Sequence, residues 1–142
     1  MSNNDQREIN FVLLDYSEEY YRDAARTVAP DKISGKFVQM RNKQTEYLIL
    51  SPKELAPYHA NLVERFCRDR GLKGDYTGEG KRYDIREPAW TIVGGGKFDI
   101  DRSARQIRLY DNSMAYGRFD SKFLAEKIRS VDKMADYQVM IY

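Results

Sequence analysis

The 142-residue sequence predicts an α+β domain in which several antiparallel strands pack against two or three helices. Short strand-like runs are separated by polar or glycine-containing turns, as in antiparallel hairpins. Two longer segments repeat their apolar residues at helical spacing instead. The length suits a single domain with a sizeable hydrophobic core.

The first 34 residues are predicted to be an extension of this domain. It opens with a short strand or docking segment, INFVLLDY, and continues with a helix, SEEYYRDAARTVA. Ser17 is the expected N-cap of that helix, acidic residues fill its first turn and Pro30 lies beyond its end. A break at DKISG then separates residues 1–34 from a main domain over residues 35–142.

The first half of the main domain is predicted to be a hairpin followed by a helix. The hairpin strands are KFVQMRN and EYLILS, on either side of the polar KQT. A helix start is expected at SPKE, residues 51–54, with Ser51 as its cap. Because Pro57 would break the helical hydrogen bonds, an irregular turn should precede a helix from Pro57 to about Arg70, which Gly71 would end. Three side chains fall on the predicted core face: Tyr58, Leu62 and Phe66.

The second half is predicted to contain a loop, short strands, a hairpin and a helix. The loop is the charged, glycine-rich LKGDYTGEGKR, and the short strands are YDI and WTIV. The hairpin joins KFDID to QIRLY after a glycine triplet. A second helix is expected over about 121–132, capped by Asp120 or Ser121, before a final strand, YQVMIY. Three of its side chains should point inward: Phe123, Leu124 and Ile128.

Composition and charge exclude several classes of protein. The 24 basic and 22 acidic side chains give a net charge of +2, so no nucleic-acid or membrane partner is expected, while a local basic pocket is compatible with this balance. The one cysteine, Cys67, permits no intrachain disulfide. The N-terminus lacks the basic start and long apolar run of a secretory signal, and no run reaches the roughly 20 apolar residues of a membrane span. We expect a cytoplasmic location, and the sequence predicts no oligomeric state.

The single histidine, His59, limits the possible chemistry. One histidine and one cysteine cannot supply the roughly four ligands of a structural zinc site, so neither a metal nor a cofactor is expected. Cys67 lies within a predicted helix, which favours a buried small side chain over a phosphatase nucleophile. An isolated histidine is more often structural than catalytic. At a helix start, however, the helix dipole keeps the ring neutral, as a general base or nucleophile requires, and the free amides there can bind an anion.

Two glycine-containing segments are unusual for their positions. The first, VGGGK at residues 93–97, would weaken a strand. It marks either a bulge or close crossing, or a place where the backbone approaches a ligand beside Lys97. The second, DNSMAYGRFD at residues 111–120, joins a strand to a helix. It is either a plain turn or a nest of amides for anionic oxygens.

Four segments in this order, GKFVQM, YHANL, VGGGK and NSMAYG, resemble the janus/ocnus family, which includes the phosphohistidine phosphatases. The similarity runs from about Gly35 to about Val139, and SMAYG with the following helix is its most specific part. The resemblance implies an α/β domain with a mixed sheet of about six strands flanked by two helices. It also implies metal-independent hydrolysis of the P–N bond of phosphohistidine in protein substrates. The alternative is a module that binds phosphate or a phosphoprotein without turnover.

The resemblance further implies roles for individual residues. His59 matches the catalytic histidine of the family, a proton acceptor, and Lys36 matches its phosphate-binding lysine. Whether His59 deprotonates water or attacks phosphorus itself stays open. The other residues expected to hold the phosphoryl group are Ala60, Gly96, Lys97, Ser113, Met114 and Ala115.

The sequence departs from the family pattern at three places. Lys97 stands where the phosphatases usually have arginine, so a point charge replaces a planar fork. A histidine found after SMAYG in well-known members is missing. The loop between the first helix of the main domain and the glycines, LKGDYTGEGKRYDIREPAW, is longer. These differences concern substrate choice and turnover more than the fold.

Overall fold

A computed structural model of the chain describes residues 9–142. In this part of the chain, six of the eight strands form one mixed sheet. The strands are β1 (Asn10–Asp15), β2 (Lys32–Arg41), β3 (Thr45–Pro52), β4 (Gly74–Thr77), β5 (Arg82–Ile85), β6 (Thr91–Asp101), β7 (Gln106–Tyr110) and β8 (Gln138–Ile141). The helices are α1 (Ser17–Glu19), which continues into a π-helical turn (Tyr20–Ala24), α2 (His59–Arg70) and α3 (Leu124–Arg129), which precedes a 3-10 turn (Asp132–Met134).

The order of strands across the sheet is β1-β3-β2-β6-β7-β8. The outer pairs, β1 with β3 and β7 with β8, are parallel, and the inner pairs are antiparallel. Strands β4 and β5 form a separate antiparallel hairpin.

A helix covers each face of the sheet, because successive side chains of a strand point to opposite faces. Val38 packs with the apolar residues of α2, whereas its neighbour Phe37 packs with Leu124 and Ile128 of α3. This arrangement confirms the predicted α+β domain with a mixed six-stranded sheet. None of the helices within residues 9–142 has the length and apolar character needed to cross a bilayer.

The helix predicted over residues 17–29 is much shorter than expected. Only α1 and the π-helical turn form, and Arg26 adopts a left-handed conformation just beyond them (φ 52°). Ser17 is also not the N-cap: Tyr16 holds that position, and the Ser17 amide donates to the Asp15 carboxylate at 2.8 Å. Strand β1 therefore runs directly into the helix, and its last side chain binds the free amide.

The predicted extension contributes a strand to the main sheet. Strand β1 pairs with β3 over its whole length, and β2 already begins at Lys32. The first eight residues of the extension lie outside the described part of the chain. A domain boundary at residue 34 stays a prediction.

Strand β3 is longer than predicted, and α2 starts later. Ser51 and Pro52 still pair with β2, so the helix start expected at 51–54 is wrong. Tyr58 is the N-cap of α2 in an extended conformation, and its side chain is 69% exposed instead of buried, because an N-cap residue does not follow the helical face. Leu62 and Phe66 are fully buried as predicted.

Two further predictions about α2 are confirmed. Gly71 ends the helix in the left-handed conformation (φ 68°), which glycine adopts without steric cost. Cys67 is fully buried, and burial raises the pKa of its thiol to about 11, so it is an inert core residue.

The region between α2 and β7 contains more strand than predicted. The expected loop forms β4 and the start of β5. The expected strands WTIV, apart from Trp90, and KFDID are parts of one strand, β6, with Gly94 to Gly96 in its middle. Glycine is disfavoured inside a strand. Even so, all three glycines of β6 pair with residues of β2.

Helix α3 covers only the middle of the predicted 121–132 segment. Its N-cap is Phe123, in the left-handed conformation (φ 59°), instead of Asp120 or Ser121. The Asp120 carboxylate accepts from the amide of Lys122 in the turn that precedes the helix. Leu124 and Ile128 are fully buried, as predicted.

Candidate active site

A cavity of about 470 Å³ opens at the N-terminal end of α2. Strands β2 and β6, the start of α2, the β4–β5 turn and the segment after β7 all contribute to its wall. The lining residues are Lys36, Pro57, Tyr58, His59, Ala60, Lys81, Lys97, Asp111, Asn112, Ser113, Met114 and Ala115. Seven of the eight residues predicted for the site line this cavity. The eighth, Gly96, is not in the lining but contacts the ring of His59.

His59 is the first residue of α2, and its ring is held by strand β6. The Nε2 atom lies 2.9 Å from the carbonyl oxygen of Gly96, and the residue is only 8% exposed. Because a carbonyl can only accept, Nε2 carries the proton of the neutral ring. The lone pair of the neutral imidazole is therefore on Nδ1.

Burial lowers the pKa of His59 below its ordinary 6.5. The hydrogen bond to Gly96 and the charge of Asp111 oppose this effect, whereas the charges of Lys36 and Lys97 add to it. The ring is thus neutral at physiological pH, the state that proton acceptance or nucleophilic attack requires.

The glycine triplet allows three close approaches within the protein. A Cβ on Gly95 would lie 2.8 Å from Cδ2 of His59. A Cβ on Gly94 would lie 2.2 Å from the carbonyl oxygen of Arg118, and one on Gly96 would lie 2.5 Å from that of Tyr110. The close-crossing interpretation therefore accounts for all three glycines. Gly96 acts on the site by orienting His59.

Two lysines face each other across the central strand pair. Lys36 of β2 and Lys97 of β6 are register partners, so their side chains leave the same face of the sheet. Like charges in directly opposite positions destabilise a sheet, and an anion between them relieves the repulsion. Lys97 has a carboxylate partner, since its Nζ lies 3.2 Å from Asp111, and this contact lowers the pKa of Asp111. Lys36 has no ion-pair partner within residues 9–142.

The start of α2 supplies hydrogen-bond donors to the same cavity. The amides of His59 and Ala60 are in the first helical turn, where no intrahelical acceptor is available. Neither amide has an acceptor in the part of the chain that the structure describes. Ala60 has only a methyl side chain, so its amide is the group that can donate to a bound anion.

The turn from Ser113 to Gly117 is closed by its own hydrogen bonds. The amide of Ser113 donates to Gly117 and the amide of Gly117 to Ser113, at 3.1 and 2.7 Å. The Ser113 Oγ accepts from the amide of Tyr116 at 3.1 Å. Within residues 9–142, the amides of Met114 and Ala115 have no acceptor. The donors that the turn offers a ligand are therefore these two amides and the Ser113 hydroxyl, whereas the Ser113 amide is already engaged.

Sequence reasoning missed five lining residues, namely Pro57, Tyr58, Lys81, Asp111 and Asn112. Asp111 and Asn112 are the first two residues of DNSMAYGRFD, which was already identified as unusual. Their position next to the turn could therefore have indicated them. Lys81 gave none, because its place depends on contacts between the β4–β5 hairpin and residues more than thirty positions away. No group of three or more His, Cys, Asp and Glu side chains assembles in the described ranges, and the expectation that no metal is used stays a prediction.

Comparison with protein-family models places most of the chain in one family. The model described as the Janus/Ocnus family matches residues 32–138. Comparison with curated proteins gives no match. The matched part runs from the first residue of β2 to the first residue of β8 and contains every residue that lines the cavity. Because the match covers well over half of the sequence, this chain belongs to the Janus/Ocnus family.

Proposed function

We propose that the chain is a phosphohistidine phosphatase that hydrolyses the P–N bond of phosphorylated histidine in proteins without a metal ion. The observation that carries this proposal is the state of His59. Its ring is neutral, it is fixed through Nε2 to Gly96, and it lies in a cavity with three lysines. That combination suits a group that must accept a proton or attack phosphorus beside an anion.

Phosphoryl transfer is catalysed mainly by positioning and by stabilisation of negative charge. Lys36 and Lys97 supply positive charge from the sheet. The amides of the first turn of α2 and of Met114 and Ala115 supply donors from two sides. These groups are in place before the substrate binds, so the site needs little reorganisation.

His59 has two possible roles in the reaction. As a general base, Nδ1 takes a proton from water while the water oxygen forms a bond to phosphorus and the P–N bond breaks. As a nucleophile, Nδ1 bonds to phosphorus first, and water hydrolyses that second P–N bond. In both routes the electron pair of the broken bond goes to the substrate nitrogen, which leaves as neutral imidazole once its ring has been protonated.

The test is release of inorganic phosphate from chemically phosphorylated polyhistidine, in the presence of EDTA. The wild type should release phosphate, and His59→Ala should lose at least a hundredfold of the rate. His59→Ala should still bind inorganic phosphate, because the lysines and amides remain. Circular dichroism checks the fold of both proteins. A wild type that binds phosphate and releases none would support the non-catalytic binding module instead.

A further inference from the structure

The β4–β5 hairpin brings a third lysine into the cavity. Lys81 lies in the turn of this hairpin and lines the same cavity as His59. The neighbouring cations of the hairpin are paired, Arg82 with Asp84 and Arg86 with Asp75. Within the described residues the Lys81 ammonium has no carboxylate partner, so its charge is available to a ligand.

The hairpin is fixed to the turn at Ser113–Gly117 by four contacts. The Tyr116 hydroxyl accepts from the amide of Tyr83 at 2.8 Å and donates to the carbonyl of Tyr83 at 2.7 Å. The guanidinium of Arg82 donates to the carbonyl of Ala115 and lies 4.8 Å from the centre of the Tyr116 ring. Lys81 is thereby held next to the turn that carries the free amides of Met114 and Ala115.

The charges around the cavity indicate which lysines bind an anion. Three lysines and Asp111 line it, for a formal charge of +2, which matches a phosphoryl dianion. Asp111 already neutralises Lys97 at 3.2 Å. The two lysines without a carboxylate partner in the described part of the chain are Lys36 and Lys81.

We propose that Lys81, together with Lys36, binds the phosphoryl group of the substrate, and that Lys97 serves mainly to hold Asp111. This assignment rests on the proposed function and deepens it. It assigns the second phosphate-binding charge to Lys81 of the β4–β5 hairpin instead of Lys97 of β6. The β4–β5 hairpin then supplies a cation that no described carboxylate neutralises.

The test compares three alanine variants on phosphorylated polyhistidine. Lys81→Ala should raise KM about five- to tenfold with a smaller effect on kcat, because a partly exposed charge near an anion is lost. The double variant Lys97→Ala/Asp111→Asn removes Lys97 without leaving the Asp111 carboxylate unpaired in the cavity, and it should raise KM less. Lys73→Ala is the matched control: it removes an exposed lysine next to the same hairpin and outside the cavity, and it should behave as wild type. Lys81→Arg should restore the wild-type KM. Because salt screens exposed charges, higher salt should reduce the difference in KM between wild type and Lys81→Ala.

A second measurement separates this inference from the proposed function. Binding of inorganic phosphate, followed by NMR, should weaken in Lys81→Ala more than in Lys97→Ala/Asp111→Asn, whether or not the wild type hydrolyses a phosphoramidate. A wild type that binds phosphate in this ranking and releases none would leave the inference standing and overturn the enzyme proposal. The inference is overturned if Lys81→Ala matches Lys73→Ala, if Lys97→Ala/Asp111→Asn binds phosphate more weakly than Lys81→Ala, or if the wild type binds no phosphate.

Discussion

Gly95→Ala tests whether the glycine triplet exists to position His59. A Cβ at this position would lie 2.8 Å from Cδ2 of His59 and 2.7 Å from the carbonyl oxygen of Phe37. To reach an ordinary contact distance of 3.4 Å, the ring must move by about 0.6 Å relative to β6. Such a shift lengthens the 2.9 Å contact between Nε2 and Gly96 to as much as about 3.5 Å, where the hydrogen bond is lost.

The cost of this change has two parts. Overpacking a well-packed site destabilises a fold by about 1–3 kcal/mol. Misplacement of a reacting group by a fraction of an ångström to 1 Å lowers the rate by about ten- to a hundredfold. We therefore expect Gly95→Ala to lose about 2 kcal/mol of unfolding free energy and at least tenfold of the phosphate-release rate, while its affinity for inorganic phosphate stays close to that of the wild type.

Three measurements check this result. Urea unfolding gives the stability, phosphate release gives the rate, and NMR of the only histidine in the sequence reports the His59 ring directly. Ile100→Ala is the control, because it removes a buried side chain at the far end of the same strand, with a loss of about 2–5 kcal/mol, and does not contact His59. The reasoning is refuted if Gly95→Ala keeps the wild-type rate and ring signals, or if Ile100→Ala loses as much activity while folded.

Three further predictions follow from the structure. Because the pKa of His59 lies below 6.5 and its neutral form is the active one, protonation of His59 should lower phosphate release only below about pH 6.5; in an NMR titration, Asp111→Asn should lower the pKa of His59 further. Lys127→Ala should cost about 1–3 kcal/mol in urea unfolding, since fully buried Glu46 loses its 3.0 Å contact with Lys127 and keeps the one with Arg41 at 2.7 Å; no loss would contradict this. A chain that starts at Lys32 should be less stable, having lost β1, and should still bind phosphate; a folded truncation that binds none would contradict it.

Local patterns predicted the parts of the fold that depend on neighbours in sequence. The helical spacing of Leu62 and Phe66 and the glycine at position 71 identified α2, because an amphipathic helix and its C-cap are encoded within a few residues. The alternation in β2 and β3 likewise identified a hairpin. Neither pattern contains information on which strand lies at the far side of the sheet, so the parallel pairing of β1 with β3 was not predicted.

The errors occur where tertiary contacts override local propensity. The glycine triplet was expected to weaken a strand, yet β6 continues through it. Glycine is needed there because a Cβ at Gly95 would meet the His59 ring and one at Gly94 would meet the backbone of Arg118. Strand β4 and the β4–β5 turn were expected to be a loop, whereas YDI of β5 was expected to be a strand. The pairing of β4 with β5 is supported by the two hydrogen bonds between Tyr83 and Tyr116, which are 33 residues apart. Such contacts leave no periodic signal in the sequence.

Asp111 shows how a site residue can be overlooked although it adjoins a recognised segment. The turn after it was interpreted as a plain turn or a nest of amides, with the lysines Lys36 and Lys97 as the charged residues of the site. The structure places two of these lysines, Lys36 and Lys97, directly opposite each other, an arrangement that costs a sheet up to about 1 kcal/mol. Asp111 offsets that repulsion by pairing with Lys97, and it does so from a left-handed backbone conformation (φ 67°) that aspartate tolerates better than most residues. Its carboxylate therefore stabilises the cavity when no anion is bound, and it raises the pKa of His59, against the effect of the lysines.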